Sequence, residues 1–157
     1  MKEKILEAFR DLGFKLEEEE GMGYCFNYEG LNLLYMYNEN DEEFLNIALP
    51  GIVEVEEDRM LQICALLEKI NSTLKYVKTY MLGNSVWLFY ERELFGEEDL
   101  MTVISRMILH LEAGLVFARK AMAEIEETMT NGSSDDDTTE SAEEIGTEEI
   151  ADDDDNE

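Results

Sequence analysis

Between Glu97 and Glu127 the chain sets Leu100, Ile104, Met107, Leu111, Leu115, Ala118, Met122 and Ile125 at steps of three and four, which lines them up as one apolar stripe on an α-helix. Gly96 breaks the chain ahead of this stretch, and Glu97, Glu98 and Asp99 place negative charge on the positive end of the helix dipole. A helix of this length spans about 46 Å, more than a sheet of short strands needs for cover. The surplus has two readings. Ala113, Gly114, Ala118, Ala121 and Ala123 offer small side chains for close approach of a second helix, as in a dimer, whereas a bend at Gly114 shortens the rod.

A helix with a single apolar stripe needs a layer to cover, and the residues before it supply one. Ile5, Leu6, Phe9 and Leu12 share a face of a short first helix over Lys2–Leu12, and Gly13 stands where a C-terminal glycine ends such a helix. Glu17–Glu20 and Gly21 and Gly23 read as a polar, flexible lead into Tyr24–Tyr28, where Tyr24, Phe26 and Tyr28 alternate at the strand period of two. Glu29-Gly30 is a tight-turn candidate, and Leu31–Tyr37 is a second strand with both sides apolar, as in a central strand. Leu45, Ile47 and Leu49 align in a third strand that Pro50-Gly51 is expected to stop. Met60, Ile63, Leu67, Ile70 and Leu74 restore helical spacing, and Tyr76–Leu82 and Val86–Tyr90 flank the hairpin loop Gly83-Asn84-Ser85. The expected fold is a single α+β domain over residues 1–128, in the order α-β-β-β-α-β-β-α, with an antiparallel sheet packed by helices. Residues 129–157 are expected to form a disordered acidic tail.

Charge narrows the partners. The formal net charge is -27, and residues 131–157 hold 13 of the 39 acidic residues and no Lys or Arg. The rest therefore carries 26 acidic against 12 basic residues and is itself net −14. Such a surface repels phosphate backbones, so nucleic acid is not an expected partner, and basic polypeptide segments are the better electrostatic match. Cys25 and Cys64 lie in apolar runs where a reduced cysteine behaves as a small hydrophobe, and a single disulfide between them is left open. The N-terminus MKEKILEAFRDLGF alternates charged and apolar residues, which argues against a signal peptide or membrane span and for a cytoplasmic protein.

The order of elements resembles the type III secretion chaperone-like fold, a group that includes the YbjN-type proteins. The text nearest the YbjN type is the second helix running into Ile70-Asn71, then Lys75-Tyr76-Val77 and the hairpin that ends Val86-Trp87-Leu88-Phe89-Tyr90-Glu91-Arg92. The resemblance covers residues 2–127. It implies a small domain, often dimeric, that binds other polypeptides and catalyses no reaction.

No residue pattern argues for catalysis or a cofactor. His110, the only histidine, falls beside the apolar stripe without a nucleophile in its segment and reads as a helix-surface spectator. Asn38, Asn40 and Glu42 alternate oxygen ligands but lack the glycine of a calcium loop, and no Cys/His set has zinc spacing. What remains is aromatic. A sheet covered by helices on one face leaves part of its tyrosine-rich surface for a peptide or second subunit. Tyr24, Phe26, Tyr28, Tyr35, Tyr37, Trp87 and Phe89 are the candidate partner surface, together with Leu115, Met122 and Ile125 on the long helix. The expected function is a non-enzymatic protein-binding module with a protein or peptide client, a homodimer being a further expectation and neither nucleic acid nor membrane a partner. The alternative is an acidic regulatory or structural protein whose tail engages a basic partner.

Overall fold

The computed structural model describes residues 1–132. Its elements run α1 (Lys2–Asp11), β1 (Glu17–Glu19), β2 (Gly23–Tyr28), β3 (Leu31–Met36), β4 (Phe44–Glu54), α2 (Met60–Thr73), β5 (Val77–Leu82), β6 (Ser85–Glu93) and α3 (Leu100–Gly132), with one 3-10 turn at Glu57–Arg59 before α2. The α+β architecture and the order of its main elements are those read from the sequence. The six strands form one antiparallel sheet in the order β1-β2-β3-β4-β6-β5. Strands β1 to β4 make a meander. The chain then crosses through α2 to the far edge, lays down β5, and returns as β6 into the gap beside β4.

Local chemistry sets each joint. Gly13 (φ 87) closes α1: its N–H reaches the Arg10 carbonyl at 2.8 Å and the Phe14 N–H reaches the Phe9 carbonyl at 3.0 Å, the paired bonds of a glycine-ended helix. Glu29 and Gly30 both have positive φ, as the two-residue turn between paired Tyr28 and Leu31 requires. Asp99 caps α3 by accepting the Thr102 N–H at 3.4 Å and the Thr102 hydroxyl at 2.7 Å.

Three expectations are corrected. Glu17–Glu19 is an edge strand, not a flexible lead: it pairs Glu17 with Cys25 and Glu19 with Gly23. Pro50-Gly51 does not stop the third strand. The register jumps from Leu49↔Leu88 to Val53↔Val86, so Pro50, Gly51 and Ile52 bulge opposite one residue, Trp87, and proline is spared a ladder bond. The long helix starts three residues later than expected, after its Asp99 cap, and continues to Gly132; residues 129–132 thus extend a helix, and the remainder of the expected acidic tail, 133–157, lies outside the described residues.

The core fills the space between one sheet face and the helices. Ile5 and Phe9 of α1, Ile63, Leu66 and Ile70 of α2, and Ile104, Met107, Leu111 and Ala118 of α3 are buried against Leu33, Tyr35, Ile47, Leu88 and their neighbours. Gly114 lies within one continuous helix and faces the sheet, not a second copy of α3. It is buried against the sheet, where an added Cβ would lie 3.3 Å from Leu88 Cδ1 and 3.4 Å from Val77 Cγ1, so its missing side chain sets how closely α3 approaches. The surplus length of α3 is taken up by α2 and the turn before it: Lys69 Nζ meets Glu124 at 2.9 Å and Arg59 pairs with Glu126. By length and composition α3 could cross a bilayer, yet its buried positions form the side that packs on the sheet.

Candidate functional site

Strand register decides which side chains share a surface. One cross-strand row, Tyr24–Tyr35–Ile47–Tyr90–Val77, faces the helices. The next row, Glu17–Cys25–Leu34–Ala48–Phe89–Lys78, faces the other way. Leu34, Ala48 and Phe89 are buried yet stand outside the main core, so the second face carries a small apolar patch of its own. No helix covers it.

The patch is built from aromatic stacking and framed by charge. Tyr80 lies flat on Phe89 with ring centroids 4.0 Å apart and planes 3° from parallel, and Trp87 stacks beside Phe89 at 6.0 Å. Burial raises the Tyr80 phenol above its ordinary value, with the Glu91 carboxylate adding to the effect. Glu91 pairs with Lys78 and accepts a bond from Asn46 Nδ2 at 2.9 Å. At one end a groove of ≈ 360 Å³ opens between Met22, Met36, Tyr37, Phe44 and Asn46. Phe44, Tyr80 and Leu82 are each about two-fifths exposed around the patch.

Both sheet edges carry features that discourage strand addition. Edge strand β1 is three residues long and wholly glutamate. On edge strand β5, the Asn71 side-chain amide accepts the Thr79 N–H at 2.8 Å and donates to the Thr79 carbonyl at 3.0 Å. It stands in for the peptide of a neighbouring strand. The Thr79 hydroxyl, itself buried, donates to the Trp87 carbonyl at 2.7 Å.

The candidate residues divide between the faces. Trp87 and Phe89 belong to the uncovered face, Phe89 fully buried beneath its stack and Trp87 half-buried. Tyr24, Phe26, Tyr28, Tyr35 and Tyr37 lie on the helix-covered face; Phe26 and Tyr35 are buried against Phe9, at 4.9 and 5.5 Å, and cannot line a partner surface. Tyr24 and Tyr37 are half-buried at the rim, where the Lys2 ammonium stands 5.3 and 4.5 Å over their rings. Tyr28 is half-buried beside Phe14. Leu115 and Met122 are buried and Ile125 half-buried, because α2 and β4 already occupy that side of α3. The sequence missed Tyr80, Leu82 and Phe44 as members of one surface; their even spacing from Lys78 and Asn46 is the signal that places them there.

A second cavity, ≈ 460 Å³, lies where the β5–β6 hairpin meets the first turns of α3. His110 belongs to it and is no bare surface histidine: its ring is half-buried, edge-on to Tyr76 at 5.5 Å and Tyr90 at 5.6 Å, with Nδ1 2.7 Å from the Arg106 carbonyl. Tyr76 stacks on Tyr90 at 5.6 Å. Its φ of 68° and the 2.8 Å bond from Val77 N to Lys75 O describe a three-residue γ-turn, a strained conformation for an aromatic residue that costs about 1–3 kcal/mol. The cysteines are both free, with Cys64 exposed and not the buried hydrophobe expected; burial, then Glu19 and Glu17, raise the Cys25 thiol and disfavour the reactive thiolate.

No family model and no curated protein matches the chain. Solved structures do. YbjN of E. coli, a proposed transcription regulator, superposes with a TM-score of 0.58 at 14% identity over 75% of this chain and 90% of its own. An uncharacterised protein from Methanothermobacter thermautotrophicus superposes with a TM-score of 0.52 at 17% identity over 81% of this chain and 97% of its own. At such identity the likeness speaks to architecture alone: the chain has a YbjN-like fold, and the wider likeness to secretion chaperones rests on the order of elements.

Proposed function

We propose that this chain is a non-enzymatic protein-binding module that takes an extended or loosely folded polypeptide segment on the uncovered sheet face. The supporting observation is the set Phe44, Tyr80 and Leu82, each about two-fifths exposed, which with half-buried Trp87 overlies the buried row Leu34–Ala48–Phe89 on the face that no described helix covers. Exposed apolar patches rimmed by polar groups are the ordinary mark of such surfaces. The all-glutamate β1 and the Asn71 amide on β5 disfavour β-augmentation, so the proposed segment lies across the face and is read through side chains. Net negative charge on the folded part favours a segment that mixes apolar with basic residues. A second copy of the chain, if the protein dimerises, has a different surface available in the exposed Met101, Leu109 and Val116 of α3.

Trp87, the only tryptophan, reports on this face directly. Titration of the full chain with an unfolded basic-apolar polypeptide should give a saturable change in Trp87 emission that weakens with salt, whereas an acidic polypeptide of equal length should give none. Phe44→Ser and Leu82→Ser remove half-exposed apolar groups and should weaken binding severalfold. Absence of a saturable change, or equal affinity for both variants and the parent, refutes the assignment.

A further inference from the structure

The cavity between the β5–β6 hairpin and α3 lies on the helix-covered side, opposite the surface assigned to polypeptides, and its chemistry is different. It brings Arg92 and Arg106 beside Tyr76, Tyr90 and His110. Two guanidiniums thus share one hollow in a folded part whose acidic residues outnumber its basic ones by 26 to 12. Arg106 has no ion pair among the described residues, despite this excess of carboxylates. Glu98 and Asp99, at the start of α3, have partners of their own. Glu98 accepts the Phe95 and Gly96 N–H groups at 2.7 and 2.9 Å and touches Arg92 at 3.5 Å, and Asp99 is held by Thr102. Arg92 also donates through Nε to the Glu93 carbonyl at 3.3 Å, which aims the guanidinium and leaves further N–H groups for a ligand.

The aromatic wall is held in place at a backbone cost. Tyr76 keeps a left-handed φ of 68° that glycine would adopt freely, and the residue is 66% exposed while its ring stacks on Tyr90. Besides Tyr90 and the edge-on His110, no described aromatic ring meets that of Tyr76. The His110 Nδ1 lies 2.7 Å from the Arg106 carbonyl, and the ring stands edge-on to both Tyr76 and Tyr90. Arg92 and Arg106 line the cavity together with Tyr90, whose phenol is raised by burial.

We propose that this cavity binds a small ligand bearing an oxyanion on a planar ring, Arg106 and Arg92 holding the anion and Tyr76 stacking on the ring. Guanidinium forks match phosphate and carboxylate geometry, and planar groups stack on tyrosine faces. The volume suits a ligand of that size. The test uses the full chain in about 0.15 M salt, where repulsion from the acidic surface is screened beyond roughly 8 Å. Isothermal titration with phenyl phosphate should give a Kd of about 1 mM or tighter, roughly tenfold tighter than inorganic phosphate, and phenol should not bind. Benzoate in place of phenyl phosphate identifies the headgroup, since binding of either supports the site and their ratio names the preferred anion. Arg106→Gln, at an exposed position, should weaken binding about tenfold or more. Tyr76→Gly removes the ring and relieves the strained turn, so the fold is kept; phenyl phosphate should then bind no better than inorganic phosphate. Failure of both aryl anions to bind, or binding unchanged by Arg106→Gln, overturns the assignment, and neither result bears on the sheet-face reading.

Discussion

Replacing Asn71 tests the closed edge of β5. Its side chain makes two hydrogen bonds to one residue, accepting from Thr79 N at 2.8 Å and donating to Thr79 O at 3.0 Å, and Thr79 is only 3% exposed. Asn71→Ala removes both partners and leaves a donor and an acceptor unsatisfied on a largely buried residue. With a net worth of about 1 kcal/mol per bond and a further penalty for unmet groups that edge water partly relieves, the loss is about 2–3 kcal/mol. Against a total stability of order 5–15 kcal/mol that is a large fraction. For a urea slope of about 1.5 kcal/mol/M, the unfolding midpoint followed by Trp87 emission falls by about 1.3–2 M with the slope unchanged. Asn71→Asp keeps the acceptor for the Thr79 N–H but sets a carboxylate against the Thr79 carbonyl, so it loses at least about 1 kcal/mol. Amide exchange at Thr79 accelerates in both variants. A midpoint for Asn71→Ala that moves by less than about 0.5 kcal/mol equivalent, or an aspartate variant as stable as the parent, refutes the reasoning.

Gly114→Val forces two methyl groups toward Leu88 Cδ1 and Val77 Cγ1, and should destabilise by about 1–3 kcal/mol in the same urea assay. Phe89→Ala hollows the apolar patch on the uncovered face and should cost about 3–5 kcal/mol, a core-sized loss from a residue outside the main core. Hydrogen bonding from Phe95 N–H, followed by the bond from Gly96 N–H and the charge of Arg92, holds the Glu98 carboxyl below its ordinary value of 4.5. Its stabilising contribution is therefore complete above that value and is lost as pH falls through the lower folded one. Glu98→Gln should flatten the acid limb of the stability–pH profile below about pH 4.5, read from urea midpoints. Replacing Glu17, Glu18 and Glu19 together by threonine uncovers a neutral edge and should produce concentration-dependent association visible by light scattering.

Most of the scaffold was legible because periodicity is a backbone property. The stripe from Leu100 to Ile125 and the alternation through Tyr24–Tyr28 and Val86–Tyr90 translate directly into a helix and strands. Glu17–Glu19 was not legible, since three glutamates have neither alternation nor strand propensity and become a strand only by pairing with β2. Pro50 misled for a related reason: a bulge can absorb a proline that a regular ladder rejects. The candidate surface was half wrong because alternation says which residues share a face and not which face meets the helices. Tyr35 and Phe89 look alike in sequence, yet the register places them back to back. His110 reads as a surface spectator and Tyr76 as an ordinary strand residue in sequence, because they meet only when α3 packs on the β5–β6 hairpin.

The crossover through α2 has a kinetic consequence. The four-strand meander and the β5–β6 hairpin each close over short loops, but they join through a single seam, β4 against β6, whose partners run from Phe44↔Glu93 to Glu54↔Ser85. Loop closure over such separations is slow, and the Pro50–Ile52 bulge permits only one alignment of the two halves. The seam is then the step that commits the chain to its native state. Substitutions along it, such as at Ile47 or Leu88, should slow folding, whereas changes at the hairpin tips mainly speed unfolding.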